Sequence, residues 1–213
     1  MIQKEQPVSV LLSTAYLPPI AYFKVFLNCE HAFLEVKEHY VKQSYRNRCL
    51  IGSVEGVKTL IIPVIKTTSN HCLVQDVRID YSQSWQRTHW KTLETAYNTS
   101  SFFLYYRDYL EPFYTIQIPF LLDFNLRLWE CLCDLLQIKK TLEPTQVYQK
   151  NCQPSCLDLR YDLHPKKMLP ACLNYEFPSY FQVFIDKTAF LPNLSIVDLL
   201  FNKGNASLDY LRL

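Results

Sequence analysis

Glycine is nearly missing from this chain: Gly52, Gly56 and Gly204 are the only three in 213 residues. Phosphate loops of the P-loop or G-x-G-x-x-G kind place several glycines within one turn so that backbone amides can close on the anion. Three scattered glycines cannot build one. Charge of one sign is lacking too. Twenty-two Lys and Arg face twenty Asp and Glu, for a formal net charge of +2, which excludes nucleic-acid binding by a global basic field. No C-x-x-C pair occurs among the eight cysteines, so the usual zinc spacings are missing. No segment carries the eighteen or more apolar residues that a membrane helix needs.

The remainder is ordinary globular material, with 49% hydrophobic and 20% charged residues. A chain of this length buries about 70% of its unfolded surface and needs no staples, and one domain over residues 1–213 is expected. The cysteines are expected to be reduced and to act as small apolar residues. "VSVLLSTAYLPPIAYFKVF" follows Lys4 and is apolar, but Pro18 and Pro19 interrupt it too early for a signal sequence. A cytoplasmic protein is the expectation. Aromatics reach 15%, fifteen of them tyrosines. Tyrosine-rich surfaces line sugar or base sites, and tyrosines also pack with a polar tip turned outward.

Periodicity places the elements. Val8 to Leu12 is a short apolar run suited to a strand buried on both faces. Pro19 opens a helix from Ile20 to Asn28, and His31 to Val36 reads as the next strand. Strand, helix and strand in so short a span form a βαβ unit with a parallel pair. Tyr45–Ile51 and Val57–Ile65 are expected as a hairpin joined by "GSVEG", its second strand limited by Pro63. Leu73–Ile79 and Tyr180–Phe184 are further strand candidates, and "LEPTQVY" is a short one. Helices are expected over Trp85–Tyr97, Phe102–Leu110 and Pro119–Ile138, the last with Leu121, Leu122, Trp129, Leu132, Cys133 and Leu136 on one stripe. "NLSIVDLLFNKG" is a helix in which Ser195 and Asp198 resemble a capping box and Gly204 marks the stop. Residues 150–178 read as a long loop of the kind that forms lids. The fold class is α/β: a Rossmann-like mixed, mostly parallel sheet with flanking helices, plus a β-hairpin.

The chemistry-bearing stretch is "YVKQSYRNRCLI", from Tyr40 to Ile51. If it is extended, Lys42, Ser44, Arg46 and Arg48 share one face, and two arginines at i, i+2 can grip a phosphate bidentately. The stretch follows the carboxyl end of the second strand, where open α/β sheets place ligands. Glu35, Glu38 and His39 lie just upstream, and a carboxylate beside an imidazole can do acid–base work. Arg46 and Arg48 can instead be structural, holding the later loop through Asp158 or Asp162. His89 sits between Trp85 and Trp90, a setting that suits packing as well as a sugar or base.

"AYLPPIAYF", "YVKQSYRNRCLI", "HWKTLETAYNTSSFFLYY" and "PNLSIVDLLFNKG", in this order, resemble the WbqC-like protein family. Members often accompany genes for O-antigen and other surface polysaccharides, so the resemblance implies a sugar- or acyl-transferase of polysaccharide or nucleotide-sugar metabolism. A non-catalytic binding or scaffold protein of the same pathway is the alternative. The chain departs from the family pattern where Ser13-Thr14 replaces a Gln-Pro pair and where Glu35 and, further on, Glu38 stand in place of an Asp-Asp pair. On this reading Lys42, Arg46 and Arg48 bind a phosphate-bearing small molecule such as a nucleotide-sugar. Glu35 or His39 is the acid–base group, and Tyr16, Asn47 and His89 orient the substrate. No metal site, nucleic-acid partner or membrane span is expected, and no cofactor is assigned.

Overall fold

The computed structural model describes residues 8–66, 72–152, 155–173 and 175–213; Lys4 lies outside them. Strand β1 (Ser9–Ser13), helix α1 (Ile20–Asn28) and strand β2 (His31–Glu35) form the expected βαβ unit. β1 and β2 pair in parallel from Ser9↔His31 to Ser13↔Glu35. Every residue of β1 is buried, as a continuous apolar run requires in a central parallel strand. The "LEPTQVY" segment supplies β5 (Glu143–Pro144) beside β2, and β6 (Cys156–Asp158) pairs with the other edge of β1. The four-stranded sheet has the order β5-β2-β1-β6 and is parallel throughout. β1 thus has neighbours reached in opposite directions, and the carboxyl ends of all four strands meet on one edge. This is where open α/β sheets bind ligands.

β3 (Arg48–Ser53) and β4 (Gly56–Ile61) form a separate antiparallel hairpin. Its first strand starts three residues later than expected. Residues 42–47 are turns, with Gln43 at φ +60° and the Ser44 hydroxyl donating to the Val41 carbonyl at 2.7 Å. The period-two face drawn for Lys42, Ser44, Arg46 and Arg48 is therefore absent. β4 ends before Pro63, which has no amide to donate to a ladder.

Helices α2 (Trp85–Tyr97), α3 (Phe103–Leu110) and α4 (Leu121–Leu135) flank the sheet and hairpin. The α4 stripe is buried as its spacing demands, and Trp129 stacks on Phe23 of α1 at 4.7 Å. A short helix α5 (Ile185–Thr188) precedes α6 (Ile196–Lys203) and α7 (Ser207–Arg212). Gly204 closes α6 at φ +57°, and a Cβ there would meet the Phe102 ring at 2.7 Å. One continuous apolar cluster runs from Val10 to Leu211.

Four local expectations need correction. Leu73–Ile79 is not a strand: Val74–Asp76 form a 3-10 turn, flanked by single bridges His39↔Leu73 and Val64↔Ile79. Tyr180, Phe181 and Gln182 are buried, exposed and buried in turn, but the Tyr180–Phe184 segment joins no ladder among the described residues. The Gln182 carboxamide, rather than a neighbouring strand, takes up the Leu191 amide and carbonyl there. Ser195 does cap α6, accepting from the Val197 amide, but Asp198 does not complete a capping box. Its carboxylate is buried and accepts from Tyr97 (2.9 Å), Tyr180 (2.5 Å) and Gln182 (2.9 Å), tying α6 to α2 and the 180–182 segment. Finally, Cys152 and Cys156 are joined as a disulfide, while Cys29, Cys49 and Cys133 are buried free thiols.

Candidate anion-binding site

Two charged regions adjoin at the carboxyl edge of the sheet. The first is closed. Arg46 is 1% exposed and pairs bidentately with Glu38, Nε to Oε1 at 2.8 Å and Nη2 to Oε2 at 2.6 Å. Its Nη2 also donates to the Arg160 carbonyl at 3.2 Å. Arg160 is buried likewise and grips Asp158 through Nε (3.0 Å) and Nη2 (2.6 Å), with Nη1 3.4 Å from Glu35. Glu35 has both oxygens occupied. Oε1 accepts from the Lys37 amide (2.9 Å) and the Thr145 hydroxyl (2.7 Å), and Oε2 from the Gln149 amide (2.8 Å) as well as Arg160. Burial pushes the Glu38 carboxyl up, against the pull of its Arg46 partner. The Tyr161 ring covers both guanidiniums, at 5.7 Å from Arg46 and 5.8 Å from Arg160. The cluster fastens the segment after β5 and the segment after β6 onto the end of β2.

The second region is open. A cavity of about 420 Å³ is bounded by the Lys42–Gln43 turn, Asn47 and Arg48 at the start of β3, the Val64–Lys66 segment, and Tyr40, Cys72 and Val77. That volume is within the range of small-molecule sites. Lys42, Arg48 and Lys66 line it, and among the described residues no carboxylate does. Arg48 makes no ion pair within the described residues, and its Nε is buried without a hydrogen-bond partner. The Asn47 Nδ2 donates to the Ile62 carbonyl at 2.8 Å, leaving its Oδ1 buried and unpartnered as well. Val64, Ile65, Val77 and the Tyr40 ring supply an apolar wall. Unmet polar atoms of this kind cost free energy and call for an explanation.

The surroundings carry the same positive field. His164 has its pKa lowered by burial and then by Lys167, Arg48, Lys166 and Arg46. Lys166 donates to the Gln43 carboxamide at 2.5 Å and so ties the 161–167 loop to the rim of the cavity. The middle of the expected 150–178 loop is thus held at two points, by Arg160 inside and Lys166 outside.

Other candidates lie elsewhere. Tyr16 and His89 meet each other, with the Tyr16 hydroxyl 3.0 Å from His89 Nδ1 and 2.9 Å from the Tyr114 hydroxyl. Both are buried in the core beside Trp85 and Phe124 and neither lines the cavity. Burial lowers the His89 pKa to about 4, so the ring is neutral. His39 is exposed beside Tyr40, is not among the lining residues, and its backbone bridges to Leu73. Arg46, Glu35 and Glu38 belong to the closed cluster, so the structure brings only Lys42, Asn47 and Arg48 of the sequence candidates to the cavity. Lys66, Gln43 and Tyr40 were not singled out by sequence. Lys66 reaches the site through the return strand of the hairpin, and a Lys just beyond a Pro-limited strand carries no local signal. Among the described residues, no cluster of three His, Cys, Asp or Glu could hold a metal ion, and no helix is long and apolar enough to cross a membrane.

The sequence model of the WbqC-like protein family matches residues 14–169. That span takes in the turn after β1, the "YVKQSYRNRCLI" stretch, the closed cluster and the cavity. "Uncharacterized protein Rv1507c" of Mycobacterium tuberculosis (strain ATCC 25618 / H37Rv) is 25% identical over 223 residues, covering 95% of this chain and 96% of that protein. No solved structure matches the chain.

Proposed function

This chain belongs to the WbqC-like protein family, and we propose that it binds a phosphate-bearing small molecule in the cavity lined by Lys42, Arg48 and Lys66. One observation carries the reading: Arg48, which makes no ion pair among the described residues, lines a cavity with Lys42 and Lys66 and with no carboxylate among the described residues. A phosphate oxygen satisfies a guanidinium nitrogen with a charge-assisted bond, and Lys42 and Lys66 neutralise the remaining charge. The Gln43 carboxamide, which also lines the cavity, offers a partner to a ligand hydroxyl. The apolar wall and the Tyr40 ring give a base or sugar ring a face to rest on. A nucleotide-sugar has all three features.

The chemistry we assign is transfer from such a donor in surface-polysaccharide metabolism. His39, exposed next to Tyr40, is the acid–base candidate. Glu35 acts by positioning, since four donors already occupy its oxygens. That same saturation favours a second reading, a non-catalytic binding protein of the same pathway.

A thermal-shift screen with nucleoside diphosphates, nucleotide-sugars, acyl-coenzyme A and inorganic pyrophosphate tests the proposal. A ligand at a hundred times its Kd stabilises the native state by about 2.7 kcal/mol. One phosphate-bearing class should raise Tm for the wild type and not for an equally folded Arg48→Ala. A shift that survives in Arg48→Ala places the ligand elsewhere. Turnover lost in His39→Ala with binding retained separates the enzyme from the binding protein.

A further inference from the structure

A second concavity, of about 390 Å³, lies between α3 and the carboxyl end of α4. The amino end of α4 meets Val77 at the anion cavity, through the Leu121 amide and the Val77 carbonyl. Fifteen helical residues then separate the two places, about 22 Å along the axis. Tyr105 and Tyr109 are 67% and 55% exposed. They stand at i, i+4 on α3 and form one aromatic strip, with Tyr106 on the side turned to α4. Opposite the strip are Asp134, Gln137 and Asn205. The Tyr106 hydroxyl donates to Asn205 Oδ1 at 3.2 Å, and the Asn205 Nδ2 group is a donor not used in that bond.

Gln137 is the telling residue. It ends α4 in the left-handed region at φ +57°, with the Ile138 amide on the Cys133 carbonyl at 2.8 Å and its own amide on the Asp134 carbonyl at 3.0 Å. That motif prefers glycine, and a side chain there is strained. The strained position carries a carboxamide into the concavity.

We propose that this groove binds the ring of a neutral saccharide. A pyranose has one apolar C–H face, which lies on an aromatic side chain, and a girdle of vicinal hydroxyls. Asp134 accepts from them, Asn205 donates, and the Gln137 carboxamide does both. The patch is small and rimmed with polar groups, whereas a stable protein interface needs about 800 Å² from each partner. The inference stands on this groove alone and does not depend on the anion cavity.

Saturation-transfer-difference NMR with glucose, galactose, N-acetylglucosamine, cellobiose, lactose and chitobiose tests it. Transfer to the ring C–H protons of at least one sugar is expected, with affinity reduced tenfold or more in Tyr105→Ala/Tyr109→Ala, whose side chains are exposed. Gln137→Gly should weaken the same sugar severalfold while raising Tm by about 2 °C, because relief of strain and loss of a ligand contact have opposite signs. Arg48→Ala should leave sugar binding unchanged. No transfer from any of the six sugars overturns the proposal, as does equal transfer to the tyrosine double variant. Self-association by sedimentation that the double variant abolishes would assign the strip to a protein interface and overturn it too.

Discussion

Arg46 and Arg48 stand two residues apart and meet opposite surroundings. Arg46 finds Glu38 in the turn after β2, a carbonyl from Arg160 and the Tyr161 ring, and is enclosed. Arg48 shares a cavity wall with Lys42 and Lys66, and its Nε has no acceptor among the described residues. The residue type is the same, so the difference lies in whether a carboxylate reaches it. A guanidinium with a buried acidic partner fastens chain segments together. One held among cations fastens nothing, and Arg48 shares the cavity wall with Lys42 and Lys66. The contrast also orders the expected effects of mutation.

The largest effect should fall on the closed side. Glu38→Ala leaves Arg46 charged, buried and unpaired, which costs about 3–5 kcal/mol. At about 2–4 °C per kcal/mol for a chain of this size, Tm should drop by about 10 °C. A drop under 2 °C in calorimetry would mean that the pair is dispensable, and the comparison would fail.

The next concerns the buried imidazole. His89 has a folded pKa of about 4, against about 6.5 when unfolded. The unfolded state therefore binds the additional proton between these values, and stability falls as pH is lowered through that window. The full loss, about 3 kcal/mol, is reached below pH 4. Urea unfolding from pH 7 to pH 4 should show that slope in the wild type and lack this component in His89→Gln. Parallel curves would show that His89 takes up its proton as readily in the fold as in the unfolded chain.

On the open side the effects move from stability to binding. Arg48→Ala should change stability by no more than about 0.5 kcal/mol and weaken the phosphate ligand tenfold or more, measured by isothermal titration calorimetry. If it destabilises as much as Glu38→Ala, the two arginines are one structural unit. Lys42→Ala should be mildest, a loss of about two- to threefold that vanishes in high salt, since an exposed cation is screened.

Most of the framework was legible beforehand. α1 and α2 occupy the expected residues, and β1, β2 and α4 lie within a few residues of theirs. Their signals are local: a continuous apolar run, a 3.6-residue stripe, prolines at the edges. The misplacements share a different cause. Tyr180–Phe184 has the aromatic and β-branched composition of a strand, but a strand also needs a neighbour, and Gln182 supplies the hydrogen bonds instead. Asp198 has a capping residue's spacing, but Tyr97, Tyr180 and Gln182 arrive from distant segments to claim its carboxylate. The cation run was visible in "YVKQSYRNR", yet the turn at Gln43 removed the common face assumed for it.

By itself the sequence determined the βαβ start, the helical faces, the stop at Gly204, the impossibility of a glycine phosphate loop and the concentration of cations after β2. These depend on neighbours a few residues apart, where backbone geometry dictates which side chains share a face. Only the tertiary structure decided that Arg46 is enclosed and Arg48 open, that Lys66 completes the cavity, and that Tyr16 and His89 meet in the core. Those outcomes depend on which segments the parallel sheet and hairpin bring together, and a buried charge takes its role from the partner that long-range packing places beside it.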